Sequence, residues 1–205
     1  MALWHGQARL SIAGLELFQP VPQNAADPKA PRRSLDGGAR CHDDETMPRL
    51  AIYQPDIPQN TGTMLRLAAC LGVPVEIIEP AAFDVSDRNL RRSGMDYLSH
   101  ATITRHISWR AFEEWRQETG GRLVLATTKG AIPYADFAYR PDDIVLVGRE
   151  SAGVPEEVHA VADARILIPM QPGMRSLNVA VTAAMILGEA LRQTRAFPDP
   201  TPAEM

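Results

Sequence analysis

The sequence predicts an α/β fold: a mostly parallel sheet with helices on both faces. Short apolar runs alternate along the chain with segments of helical periodicity, the pattern of strand–helix–strand units. The strand-like runs are apolar along their length, as in strands covered on both sides. Three of these runs also feed loops dense in Gly, Pro, small polar and charged residues, at the strand ends where open α/β sheets hold ligands.

Taken in order, residues 1–46 stand apart. They carry scattered prolines, the pair Gly37-Gly38 and the acidic run Asp43-Asp44-Glu45, with weak apolar periodicity after Phe18. They read as a disordered extension, or as an upstream start ahead of a natural beginning at Met47. Cys41-His42-Asp43-Asp44-Glu45 has metal-ligand residue types but no matching second cluster, so it reads as a solvated tail. From Met47 the text is regular. Leu50-Ala51-Ile52-Tyr53 is a buried strand. Residues 61–71 form a helix with Met64, Leu65, Ala68 and Leu71 on one face and Gly72 just past its end. Val75-Glu76-Ile77-Ile78 is the next strand, followed by a polar helical stretch over 86–92. Residues 108–118 make an amphipathic helix with Phe112 and Trp115 inward. Strands follow at Leu123-Val124-Leu125-Ala126 and Ile144-Val145-Leu146-Val147. A short helix over 155–162, a strand at Arg165-Ile166-Leu167-Ile168 and a helix over 177–192 complete a domain spanning 47–194. Residues 195–205 read as a flexible tail.

Composition narrows the class. Hydrophobic content of 45% and charged content of 22% suit a globular chain with a real core. No apolar run approaches the roughly 18 residues of a membrane span, and no secretory signal is evident. Two cysteines, Cys41 and Cys70, suit a reduced cytoplasmic setting. A formal net charge of -4 argues against indiscriminate polyanion binding but permits a local basic face.

The marked loops carry the chemistry. They are Ala126-Thr127-Thr128-Lys129-Gly130, then Val147-Gly148-Arg149-Glu150-Ser151-Ala152-Gly153, and last Ile168-Pro169-Met170-Gln171-Pro172-Gly173-Met174-Arg175-Ser176-Leu177-Asn178. The last ends where a helix begins, so unpaired N–H donors and a positive dipole face it. By itself that loop also fits a plain strand–turn–helix connection with a capping Ser. No Gly-x-Gly-x-x-Gly follows the first strand and no P-loop is present, which disfavours ordinary nucleotide sites.

Together with Asn60-Thr61-Gly62-Thr63-Met64-Leu65-Arg66, these loops resemble the signature motifs of the SPOUT RNA methyltransferases. The resemblance is to the TrmH-like 2′-O-ribose branch and, within it, to the small tRNA wobble-nucleotide methyltransferases of the TrmL group. Further support lies in Tyr53-Gln54-Pro55-Asp56-Ile57-Pro58-Gln59-Asn60, Ile78-Glu79-Pro80 and Leu90-Arg91-Arg92-Ser93-Gly94-Met95-Asp96-Tyr97. It covers about residues 49–194. It implies a C-terminal deep trefoil knot, an S-adenosyl-L-methionine pocket built from the knot loops, a homodimer with the site near the subunit interface, and no metal. The implied reaction is methylation of the ribose 2′-hydroxyl at the tRNA wobble nucleotide, cytidine or modified uridine, with the anticodon stem-loop as partner.

Residue by residue, the resemblance makes Arg66 the key catalytic arginine with Asn60 as support, and adds Glu150 and Asn178. A guanidinium is effectively always charged, so Arg66 suits holding phosphate or ribose and stabilising charge on the 2′-oxygen better than accepting a proton. Ala126, Gly148, Ile168 and Ser176 align with cofactor-lining positions. Arg149 stands where the group usually has Pro. Arg88, Arg91, Arg92, Lys129 and Arg175, with Arg105 and His106, form the candidate RNA face, and Tyr97 a candidate stacking platform. Without the resemblance, Arg66 is a surface arginine, Glu150 a capping carboxylate, Asn178 a first-turn residue and the cations a solvated face. His5, His42, His100 and His159 join no constellation. The competing functions are a 2′-O-methyltransferase for another tRNA position or for rRNA, a catalytically dead RNA-binding relative, and a small-molecule α/β enzyme.

Overall fold

The computed structural model describes residues 47–83 and 101–199. The expected extension 1–46, the helical stretch 86–92, Arg88, Arg91, Arg92, Tyr97 and His100 lie outside the described residues.

Seven strands form one sheet: β1 (Arg49–Tyr53), β2 (Val75–Ile78), β3 (Ile103–His106), β4 (Arg122–Ala126), β5 (Ile132–Pro133), β6 (Asp143–Val147) and β7 (Ala164–Leu167). Their order is β3-β2-β1-β6-β4-β7-β5, and every paired neighbour is parallel. Four helices are described: α1 (Pro58–Leu71), α2 (Trp109–Thr119), α3 (Glu156–Val161) and α4 (Val179–Thr194).

The two-residue period of the strands sorts the core into two layers. Leu50, Ile52, Val145 and Val147 pack with Met64, Leu65 and Ala68 of α1 and with Ala183, Ile186 and Leu187 of α4. Ala51, Tyr53, Ile144 and Leu146 point the other way, onto Phe112 of α2 and Val158 of α3. Each such large aliphatic side chain contributes about 1.5–3 kcal/mol when fully buried.

Several expected boundaries move. Helix α1 starts at Pro58, where a proline at the first helical position costs no hydrogen bond. Ser108 caps α2, its side chain accepting from Ala111 N at 3.2 Å. Helix α4 is capped by Asn178, not by Ser176, and begins at Val179. Strands β3 and β5 escaped the sequence reading. Ile103-Thr104-Arg105-His106 exposes Thr104 and Arg105 and so lacks an apolar run, and β5 is two residues ending in an edge proline.

Strand β2 carries a carboxyl side chain inside the core. Glu76 is fully buried; its Oε1 accepts from Arg49 Nη1 at 3.0 Å, and its Oε2 lies 2.7 Å from His106 Nε2. The His106 ring packs against Phe112 and Trp115. His106 therefore leaves the candidate RNA face: it is a core residue that holds β3 to β2. Arg105 meets Glu79 through Nε at 2.8 Å. Glu76→Ala removes the acceptor that two neighbouring strands share, and is expected to lower unfolding stability by about 3–5 kcal/mol in urea titrations. Unchanged stability would show that the buried pair is dispensable.

Among the described residues no helix is long and apolar enough to cross a membrane.

Candidate active site

Strand register brings the marked loops together. Val147 lies beside Ile52 on one side and Ala126 on the other, and Ala126 lies beside Ile166. Chain leaving β1, β6, β4 and β7 beyond these residues emerges at one edge of the sheet. There it encloses a cavity of about 640 Å³, lined by Asn60, Ala126, Gly148, Glu150, Ile168, Ser176 and Asn178, among others. Seven of the eight expected catalytic and cofactor positions thus share one wall system, and Lys129 and Arg175 line it too.

Arg66 does not line this cavity. It is exposed on α1. Six residues at about 100° and 1.5 Å each place it roughly 120° around the helix from Asn60 and about 9 Å further along.

The loop after β6 is tied at its neck. Arg149 N donates to Gly153 O at 3.1 Å and Gly153 N to Arg149 O at 2.9 Å. A side chain at Gly148 would meet Gly153 backbone carbon at 2.8 Å, so only glycine fits there. The Arg149 guanidinium lies over the Tyr53 ring, 5.7 Å from its centroid, tying the loop to β1. Arg149 Nε is buried and has no partner among the described residues.

The tip of that loop enters a polar chain with fixed direction. Asn178 Oδ1 accepts from Ala180 N at 2.8 Å and Val181 N at 3.3 Å, which caps α4. Its Nδ2 is left to donate to Asn60 Oδ1 at 2.9 Å. Asn60 Nδ2 then donates to Glu150 Oε1 at 3.0 Å. Because the cap fixes which end of Asn178 is the oxygen, it orients Asn60 and through it Glu150.

Asp56, ahead of α1, was not among the expected site residues. Its carboxylate accepts from the backbone N–H groups of Glu150 and Ser151 at 3.2 Å each, and from the Ser151 hydroxyl. The adjoining Glu150 carboxyl and these donors hold Asp56 down at about 2, against its partial burial. Glu150 moves upward, first through burial and then through Asp56, while Asn60 opposes the rise. Of two close carboxyls one stays charged and the other binds its proton more tightly. The one signal for Asp56 in the sequence is its place between Pro55 and Pro58, just before a helix whose cap position, Ile57, offers no side-chain acceptor.

The last loop turns at Gln171-Pro172-Gly173-Met174, where Met174 N donates to Gln171 O at 3.2 Å. Pro172 presets the second turn residue, and Gly173 at φ 87° takes the left-handed third position, as in a type II turn. Residues 171–178 are all exposed. Their backbone groups are thereby open to a ligand.

Residues 47–188 match the model of the SpoU rRNA Methylase family. The chain belongs to the SpoU family. A relative from Beijerinckia indica, named tRNA (cytidine(34)-2'-O)-methyltransferase, is 69% identical over 148 residues, which is 72% of this chain and 92% of that protein. A solved structure described as "Structural insights into the 2-OH methylation of C/U34 on tRNA" superposes with a TM-score of 0.67 at 39% identity, covering 73% of this chain and 92% of that one. The SpoU methyltransferase AviRb of Streptomyces viridochromogenes, solved in complex with the cofactor AdoMet, matches with a TM-score of 0.65 at 28% identity, over 74% of this chain and 62% of that one.

The SpoU cavity fits such a cofactor. Its volume lies within the range of small-molecule sites, about 300–1,000 Å³. Its lining combines buried aliphatic residues with the loop after β6, whose neck Gly148 lets close against Gly153. Among the described residues no group of three or more His, Cys, Asp and Glu could hold a metal ion.

Proposed function

We propose that this protein methylates the ribose 2′-hydroxyl of tRNA nucleotide 34, with cytidine or modified uridine at that position, using S-adenosyl-L-methionine. The observation that carries the reading is the convergence of Asn60, Gly148, Glu150, Ser176 and Asn178 on one cavity in a chain 69% identical to a relative of that name.

The cofactor supplies an electrophilic methyl group on a sulfonium. The chain supplies position and field. Backbone around Ala126, Gly148, Ile168 and Ser176 holds the donor, and the Asn178–Asn60–Glu150 chain shapes the rim where the ribose enters. Lys129 and Arg175, exposed at that rim, meet phosphates. Arg66 holds a phosphate or the ribose and stabilises the negative charge that develops on the 2′-oxygen. Alignment of oxygen and methyl group provides much of the rate.

The working unit is a homodimer. Val181 on α4 is 48% exposed, and Ile57 and Leu177 at the cavity rim are each 40% exposed, an apolar face that a second copy would cover. Arg66, turned away from its own cavity, suits a site completed at a subunit interface. The C-terminal part forms the trefoil knot, a reading supported by the late strands β6 and β7 lying inside the sheet rather than at its edge. The tRNA substrate places the protein in the cytoplasm.

Deleting the gene and mapping 2′-O-methylation across cellular tRNA and rRNA tests this. The expected result is loss of one mark, at position 34, restored by purified protein with S-adenosylmethionine. Loss at another position would keep the enzyme class and replace the substrate. No lost mark would reject the activity.

A further inference from the structure

We propose that Asp56 is a positioning residue for methyl transfer: its carboxylate grips the tip of the loop after β6 and sets the Glu150 side chain against Asn60. The inference rests on the proposed function given above.

Asp56 does not line the cavity, whereas its neighbours Ile57, Asn60, Glu150 and Ser151 do. Any part it plays in the reaction therefore passes through them. Its own backbone has a fixed support. Gln54 N donates to Ile78 O at 2.8 Å, and Pro55 O accepts from Ala82 N at 2.9 Å, which fastens the chain leaving β1 to the chain leaving β2. Pro55 and Pro58 fix the backbone angle φ on either side. An Asp this close to a helix start would ordinarily serve the helix. Helix α1 instead begins with Ile57 at its cap position and no side-chain cap hydrogen bond. Both Asp56 oxygens go to residues 94 and 95 positions away.

The grip is reciprocal. Asp56 Oδ1 accepts from Glu150 N at 3.2 Å, and Oδ2 accepts from Ser151 N at 3.2 Å and from the Ser151 hydroxyl. In return Asp56 N donates to Glu150 Oε2 at 3.4 Å. Glu150 Oε1 is thereby left to accept from Asn60 Nδ2 at 3.0 Å. Two oxygens bonded to successive backbone N–H groups fix orientation as well as distance. The neck of the same loop is closed separately, by the two Arg149–Gly153 bonds. Neck and tip thus have different holders. The expected cofactor positions Ala126, Gly148, Ile168 and Ser176 all lie off the tip. Slackening the tip displaces Glu150 and leaves the donor pocket standing.

The test compares full-length wild type, D56N and D56E. Asparagine keeps the shape but turns one of the two acceptor oxygens into a donor, so one backbone N–H of the tip faces another donor. Glutamate keeps both oxygens and the charge, and the exposed Ser151 leaves the tip room for one more methylene. Single-turnover methylation is measured with saturating S-adenosylmethionine on total tRNA from a strain lacking the gene, and S-adenosylhomocysteine affinity by calorimetry. In D56N the rate is expected to fall about tenfold to a hundredfold, the scale of a small misplacement in an active site, with affinity within about twofold of wild type. D56E recovers most of the rate. An unchanged rate in D56N overturns the inference. So does a parallel loss of rate and affinity, which would make Asp56 part of the pocket's structure, and so does a D56E variant as slow as D56N. Should D56N fail to fold, S151A decides: it removes one bond to the same carboxylate from an exposed position, so a slower rate at wild-type affinity supports the grip and an unchanged rate overturns it. Wild type that binds S-adenosylhomocysteine but methylates none of this tRNA rejects the proposed function, and the inference with it.

Discussion

Arg66→Ala is expected to abolish methyl transfer while leaving cofactor affinity intact. The side chain sits on the exposed side of α1, does not line the cavity, and is turned about 120° from Asn60 by the helical repeat. Removing it changes no wall of the donor pocket. On the proposed reading, what it removes is a permanent positive charge where the 2′-oxygen gains negative charge and where phosphate must be held. Loss of one such electrostatic contact costs about 10²–10³ in turnover, and lost alignment adds to that. Single-turnover methylation of tRNA, beside calorimetry with S-adenosylhomocysteine, separates the two effects. Undiminished turnover would remove Arg66 from the reaction. Equal loss of turnover and of cofactor affinity would make it a structural residue of the pocket. Lysine keeps the charge but not the planar fork, so Arg66→Lys recovers only part of the rate.

Gly148→Ala is expected to damage the cofactor pocket with the rest of the fold intact. The added Cβ would stand 2.8 Å from the carbonyl carbon and 2.9 Å from the Cα of Gly153. Both are backbone, and both belong to the neck closed by the two Arg149–Gly153 hydrogen bonds. No side chain can swing aside, so the neck must open. Such overpacking costs about 1–3 kcal/mol, which is roughly tenfold to a hundredfold in affinity where the bound state needs the closed loop. Opening the neck also shifts Glu150, and with it the bond from Asn60 at 3.0 Å. Affinity for S-adenosylhomocysteine should therefore fall well before the far-ultraviolet circular dichroism changes. Wild-type affinity in this variant would mean that the loop after β6 does not frame the pocket.

Much of the fold was legible in the sequence because buried parallel strands are read from composition over a few residues. Leu50-Ala51-Ile52-Tyr53 and Ile144-Val145-Leu146-Val147 announce themselves without any knowledge of their neighbours, and the structure extends each by one residue. Strand β3 did not, because two of its four residues, Thr104 and Arg105, are exposed and its buried His106 finds its partner Glu76 on the adjoining strand. The candidate RNA face was misjudged at His106 for the same reason: a histidine beside an arginine looks solvated until the carboxylate 30 positions earlier is placed against it. The cap of α4 shows a subtler limit. Ser176 and Asn178 are both good capping residues. Only the geometry assigns the cap to Asn178, whose amide oxygen serves the helix while its nitrogen serves Asn60.

The sequence by itself determined most of the buried strands and the helices between them, the residue types of the site and, through four ordered motifs, the family. Those are properties of short stretches, written in apolar runs and in loops of Gly, Pro, Asn and charged residues. Only the tertiary structure decided which atoms meet. Asp56 lies 95 positions from Ser151, and Asn178 lies 118 positions from Asn60. Their contacts follow from β6 entering the sheet between β1 and β4, and β7 between β4 and β5. Strand pairing across such separations is selected by the burial of two whole sheet faces, and no single stretch of chain encodes it.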